Sequence, residues 1–234
     1  MTLFTGHKSR LPLLFFRTPE RKENCMSIGT IVLDPGHGQY GNRHFPCENY
    51  EGDFFEGTQN FVLASYLKAE LEKRNFEVIM TRKNVWDDPS LSERGETAGK
   101  NNAILFLSIH SNAPGPASDK DAYHSVRGAV TYYSLTDEED VPFFMALNRE
   151  VSKVMNTPDR GIKTREYPDK PGVDYYGVIR ASVASGCRRA ALIEHGFHTN
   201  PEDALFLQSD DCLKRLAAAE AEVIDRFLGV GSCI

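Results

Sequence analysis

The chain has little that would staple it, anchor it in a bilayer or draw it to a polyanion. Its five cysteines, Cys25, Cys47, Cys187, Cys212 and Cys233, are an odd number with no C-x-x-C pair. That makes a poor disulfide framework and argues against a cysteine zinc site, and it points to synthesis in a reducing compartment. No apolar run approaches the ~20 residues needed to cross a bilayer, so no membrane partner is expected. Lys and Arg number 27 against 33 Asp and Glu, for a net charge of −6. A non-specific nucleic-acid binder would show a basic face with interleaved aromatics instead. The H-E-x-x-H helix of zinc proteases is absent, and there is no internal repeat, low-complexity linker or second module.

What is present is an ordinary globular composition. The 234 residues are 41% hydrophobic, enough for one domain that buries its core without cross-links. Residues 1–25 differ from the rest. Lys8 and Arg10 precede a short apolar run broken by Pro12, and Arg17, Glu20, Arg21 and Lys22 follow it. The run is shorter than a signal-peptide core and lacks a small-residue cleavage site. We expect a disordered extension over 1–25, or a natural start at Met26, ahead of one catalytic domain over 26–230.

Three motifs carry the chemistry: Asp34-Pro35-Gly36-His37-Gly38, Ser108-Ile109-His110-Ser111-Asn112 and Ile193-Glu194-His195-Gly196-Phe197. Each ends an apolar, β-branched run of the kind that forms buried parallel strands. Ligands of open α/β sheets collect at the carboxyl ends of such strands. Two histidines and a glutamate are therefore delivered to one sheet edge. Two imidazoles plus a carboxylate is a common set for a catalytic zinc, with one position left for water. His37, held between glycines, and His110 are the imidazole ligands. The carboxylate ligand is open among Glu48, Glu51, Asp53 and Glu56; Glu56 begins a helix, whose amino terminus favours an ionised carboxylate. Glu194 ends a strand where an unpaired carboxylate is costly. It is the candidate general base, with a salt bridge to Arg180, Arg188 or Arg189 as the structural alternative. Alternation turns His195 to the opposite face, toward a structural or orienting role. Asn112 is expected to orient its neighbours, and Arg180, at the end of a strand, to meet substrate or a neighbour of the site.

The pattern alternates strand and helix: strands over 28–34, 76–81, 104–109, 128–134, 175–179 and 189–194, and helices over 57–75, 90–100, 141–155 and 211–228. This predicts a single-domain α/β fold, a mostly parallel twisted sheet of about six strands with helices on both faces. Ser90 and Glu93 form a capping box. In the last helix Leu213, Leu216, Val223 and Phe227 should face inward. Three long loops, 38–55, 113–127 and 157–174, should shape a groove.

With these motifs in order, and with Thr81-Arg82, Leu91 to Arg94 and Asn101-Asn102-Ala103 between them, the chain resembles the type-3, zinc-dependent N-acetylmuramoyl-L-alanine amidases over nearly its whole length beyond the first two dozen residues. The resemblance implies one Zn2+ per chain, held by His37, Glu56 at the helix head and His110, with Glu194 catalytic. It implies peptidoglycan or muropeptides as substrate, cut between N-acetylmuramic acid and L-alanine, and an endolysin-like or cell-wall remodelling role. Some members block the zinc with an extra helix and glutamate; the 38–55 loop is short for that, so an open site is expected. A monomer is expected, made in the cytoplasm and reaching the wall by export or lysis.

Overall fold

The computed structural model describes residues 27–44, 53–114 and 124–229. The extension over 1–25 and the alternatives Glu48 and Glu51 lie outside them, as do residues 45–52 of the 38–55 loop on which the open-site expectation rests. The central sheet takes β1 (Thr30–Pro35), β4 (Glu77–Met80), β5 (Leu105–Asn112), β6 (Ala129–Tyr133), β7 (Asp159–Lys163) and β10 (Ala190–Phe197) in the order β4-β1-β5-β10-β6-β7. The first four strands are parallel, β6 runs antiparallel to β10, and β7 is parallel to β6. Two small ribbons complete the strands: β2 (Arg43–His44) with β3 (Phe54–Phe55), and β8 (Glu166–Tyr167) with β9 (Lys170–Asp174).

Strand alternation sends apolar side chains to two cores. Ile31, Leu33, Leu105, Leu107, Ile109 and Ile193 face the helices α1 (Glu56–Lys73), α3 (Val141–Met155), α5 (Pro201–Gln208) and α6 (Asp210–Leu228). Val32, Phe106, Ala190 and Leu192 face α2 (Leu91–Lys100) and α4 (Gly177–Ala184). α2 starts on the expected capping box, with Ser90 and Glu93 serving each other's backbone. The mostly parallel sheet of six strands with helices on both faces is the expected fold.

Three expectations need correction. The run 175–179 is not a strand: Tyr176 is extended, and α4 begins at Gly177. Its buried residues Val178, Ile179 and Ser182 have helical spacing. Arg180 is therefore helical, not at a strand end. The sixth strand is instead β7, inside the expected 157–174 loop. It is an edge strand with Ile162 as its one large apolar residue, so it carried no hydrophobic run. Phe227 is 40% exposed and only lies beside Phe143, whereas Leu213, Leu216 and Val223 are buried as expected.

Register decides where the polar groups emerge. Asp34 pairs with Ser108 and Glu194 with His110. By alternation all four project toward the α2 and α4 side at the carboxyl edge. Asp34 is fully buried, and its carboxylate accepts from Arg94 Nη1 at 2.9 Å, Ser108 Oγ at 2.7 Å and Thr81 Oγ1 at 2.6 Å. Arg94 also donates to the carbonyls of Pro35 and His37. One ion pair thus ties β1, β4, β5 and α2 to the turn that carries His37. Asp34→Ala removes the buried partner of the Arg94 guanidinium and leaves it only the exposed Asp88 carboxylate, and is expected to cost about 3 kcal/mol in urea denaturation. Adding Arg94→Met should recover part of that loss; a single variant with unchanged stability would refute the assignment.

Candidate metal centre and active site

The turn after β1 is built for close approach. His37 takes φ +60°, an uncommon conformation for a non-glycine residue. Gly36 lies under His110: a Cβ there would come within 2.2 Å of its ring. Gly57, the second residue of α1, meets the Gly38 carbonyl so closely that a Cβ has no room. Side chains at either position would push the His37 turn away from β5 or from α1.

The close packing brings His37, Glu56 and His110 together, with one donor atom from each lying within 4.8 Å of the others. Glu56 Oε2 is 3.2 Å from His37 Nε2, and Glu56 Oε1 is 3.0 Å from His110 Nδ1. The two rings meet edge-on, centroids 4.9 Å apart. Glu56 is the first residue of α1 and is 1% exposed. Its carboxylate also accepts from Asn42 Nδ2, Asn60 Nδ2 and the Ser111 backbone N–H. Burial alone would raise its pKa, but hydrogen bonds and charge from His110 and His37 hold it well below the usual carboxylate range. The reverse holds for His110: burial lowers it, and Glu56 more than compensates, so its pKa is raised.

Glu194 stands beside this group under opposite conditions. Its Oε2 is buried with no hydrogen-bond partner. Burial drives its pKa from an ordinary 4.5 to about 7, against the pull of His110 and with a further push from Glu56. The arginines that could have neutralised it are engaged elsewhere. Arg188 pairs with Glu139 and Asp140, Arg189 with Asp140, and Arg180 donates to the carbonyls of Asp174 and Tyr175. His37, His110, Glu194, Tyr167, Tyr176 and Arg180 border one cleft of about 730 Å3. The arrangement can hold a divalent cation on two imidazoles and a carboxylate, with a proton acceptor next to it.

His195 points away from the cleft, as expected. Its ring is buried between the His110 carbonyl at 3.1 Å and Glu220 Oε1 at 3.0 Å, so it braces the back of β5. The Asn112 carbonyl accepts the His198 backbone N–H, which joins the ends of β5 and β10. Sequence reasoning missed Asn42, Asn60 and Arg94. Asn60 lies four residues after Glu56, one helical turn on, and that spacing was a readable signal. Arg94 lay in a segment noted only for resemblance, and Asn42 carried no signal.

Sheet and donor set together define an α/β protein with a cation-competent site at the carboxyl edge of parallel strands. The chain belongs to the N-acetylmuramoyl-L-alanine amidase family, whose model matches residues 31–226. An uncharacterized cell wall amidase of Bacillus anthracis is 27% identical over 218 residues, 89% of this chain. The N-acetylmuramoyl-L-alanine amidase CwlM of Bacillus licheniformis is 28% identical over 202 residues, 84% of this chain and 67% of that protein. The chain spans only 37% of the length of the B. anthracis relative. Among solved structures, an N-acetylmuramoyl-L-alanine amidase from Clostridium difficile superposes with a TM-score of 0.69 at 23% identity, covering 87% of this chain and 98% of that one. The catalytic domain of CwlV from Bacillus (Paenibacillus) polymyxa does so with 0.67 at 24%, covering 86% and 99%. At those identities the superpositions establish the fold.

The raised pKa of Glu194 has a consequence for the metal-free protein. A carboxyl whose folded pKa exceeds its unfolded value contributes stability below the unfolded pKa and loses it as pH rises through the folded one. Between pH about 5 and above 7, the metal-free protein should therefore lose roughly 3 kcal/mol at this position. Glu194→Gln should flatten that slope in urea melts run across the same range. Identical slopes in both proteins would show that Glu194 is not held in the protonated form.

Proposed function

We propose that this chain hydrolyses the amide joining the lactyl group of N-acetylmuramic acid to L-alanine in peptidoglycan, with one Zn2+ held by His37, Glu56 and His110 and with Glu194 as general base and acid. Family membership supports the bond class. The observation that carries the mechanism is Glu194: a half-buried carboxylate at the cleft, with one oxygen buried without a donor, free of any arginine, in direct register with His110. A protein that only bound wall fragments would have no need of that cost.

The donor set fits the ion. Two imidazoles and an ionised carboxylate are a donor set that catalytic zinc sites use, and His37 and His110 border the cleft. When bound there, Zn2+ supplies a Lewis acid that acidifies water and polarises the scissile carbonyl. The chain's own residues do the rest. Glu56, at the helix head and hydrogen-bonded by Asn42, Asn60 and the Ser111 N–H, would offer the ion an oriented carboxylate. Glu194 accepts the proton of the attacking water at its carboxylate and returns it to the departing L-alanine amine. Arg180, fixed by two backbone carbonyls, stands at the cleft rim where a substrate carboxylate can meet it. His195 and Asn112 position β5 and β10 without touching the reaction.

Glu194→Gln should retain one zinc per chain by elemental analysis while losing at least about a hundredfold in rate. His37→Ala should lose the metal. In digests of purified peptidoglycan, mass spectrometry should find stem peptides beginning with free L-alanine, lost with a chelator and restored by Zn2+. Peptides cut elsewhere would keep the site and change the bond. Near-normal turnover by Glu194→Gln would remove the mechanism.

A further inference from the structure

The groove that holds the candidate ligands extends well past them. The main cleft shares His37, His110, Leu91 and Val178 with a second cavity of about 310 Å3. That cavity shares Asp88 with a third, of about 290 Å3, beneath Tyr40 and Trp86. One path therefore runs from the β8–β9 hairpin, past His37 and His110, to an aromatic pair on the far side.

The two ends differ chemically. At the hairpin end Tyr167 lies between Lys170, 5.0 Å from its ring, and Arg180, 5.5 Å from it. Neither cation forms a salt bridge among the described residues, although the hairpin also carries Asp169 at the cleft. The opposite end is aromatic surface flanked by the carboxylates of Asp87 and Asp88. Tyr40 is 65% exposed and Trp86 67% exposed, their ring centroids 6.4 Å apart. Trp86 is the chain's single tryptophan. Large apolar rings set this far into water are unusual for a monomeric surface unless they meet something.

The loop carrying Trp86 is firmly held. The Asp87 carboxylate accepts from the backbone of Lys83 and Asn84 and from the Asn84 amide. Asn84 Oδ1 accepts the Trp86 N–H, and the buried Arg82 donates to the Val85 carbonyl. The ring is thus fixed outward by its own backbone. Gln39 borders the same cavity, and its Oε1 is buried with no partner. A buried acceptor left unsatisfied costs stability unless a ligand donor completes it.

We infer that Tyr40, Trp86 and Gln39 form a saccharide subsite. The apolar C–H face of an N-acetylated pyranose stacks on the rings, and Gln39, turning its Oε1 out from below the surface, accepts from a hydroxyl or acetamido N–H. An anionic peptide fits this end poorly, because Asp87 and Asp88 flank it; it fits the Arg180 end. Resting on the amidase reading for the identity of the substrate, this fixes its direction: glycan over Trp86, stem peptide over the hairpin.

The single tryptophan makes the test direct. The zinc-loaded, unmodified chain is titrated with a β-1,4-linked N-acetylglucosamine tetramer, and separately with the acidic dipeptide L-alanyl-D-glutamate, while tryptophan emission is recorded. The tetramer should give a saturable change, and the dipeptide none. Tyr40→Ala, an exposed substitution that keeps Trp86, should weaken the tetramer about tenfold. No response to the tetramer, a response to the dipeptide instead, or an unchanged affinity in Tyr40→Ala would each overturn the subsite. Peptidoglycan digestion is scored independently. Hydrolysis with a silent tryptophan sinks the subsite alone; a saturable signal without hydrolysis keeps the saccharide site and removes the amidase reading.

Discussion

The buried Asp34–Arg94 pair is the constraint on which the rest of the site depends. A parallel sheet brings strand ends to one edge, but it does not fix how the chain leaves them. Asp34 takes donors from three elements, and Arg94 reaches past it to the carbonyls of Pro35 and His37. The turn between β1 and the His37 ring is thereby held from below by a buried charge whose one other carboxylate partner, Asp88, stands at the surface. Removing one partner of such a pair is costly because the other remains desolvated. The same cost makes the turn rigid, and it allows His37 to occupy a left-handed backbone conformation over a glycine packed on His110.

Above that turn two glutamates share one pocket and are driven apart. Glu56 sits at a helix amino terminus among amide donors and imidazoles, and it stays ionised. Glu194 has an oxygen in the same interior with no donor, and its proton is held up to about neutrality. The difference comes from hydrogen-bond supply, since both are carboxylates of the same length within reach of His110. Pairs of titratable groups pushed in opposite directions mark a division of labour between binding charge and moving protons. The arginines near the end of β10 could have abolished the difference, but Asp140, Glu139 and backbone carbonyls hold them away.

Most of this was legible because strand periodicity and motif position act together. The runs before Asp34, Ser108 and Glu194 declare buried parallel strands, and alternation then puts Asp34, His110 and Glu194 on one side and His195 on the other. The preference for Glu56 over the loop acids came from the resemblance, with support from a helix head that the apolar spacing of Leu63, Leu67 and Leu71 marked. What escaped had no periodic signal. β7 is a polar edge strand defined by its neighbour β6, not by its own residues. The helix at 177–184 was cut short in reading, because Val178 and Ile179 look β-branched until Ser182 is counted with them. Asn42 serves Glu56 from a turn whose conformation only the fold reveals.

The division between strand ends and loops also explains how a site so constrained can have two unlike approaches. The ligands and Glu194 stand on or directly beside elements of the sheet, where a shift of an ångström would disturb the packing of both cores. The Trp86 loop and the β8–β9 hairpin stand on neither core. Each is held by its own hydrogen bonds, as Asp87 holds one and Asp174 the base of the other through Ser134 and Leu135. Their side chains can therefore change without moving His37, His110 or Glu194. In the function proposed above, a scaffold of this kind keeps the bond-breaking geometry fixed and leaves the selection of what lies on either side of that bond to exposed residues, Trp86 on its loop and Tyr167 on the hairpin.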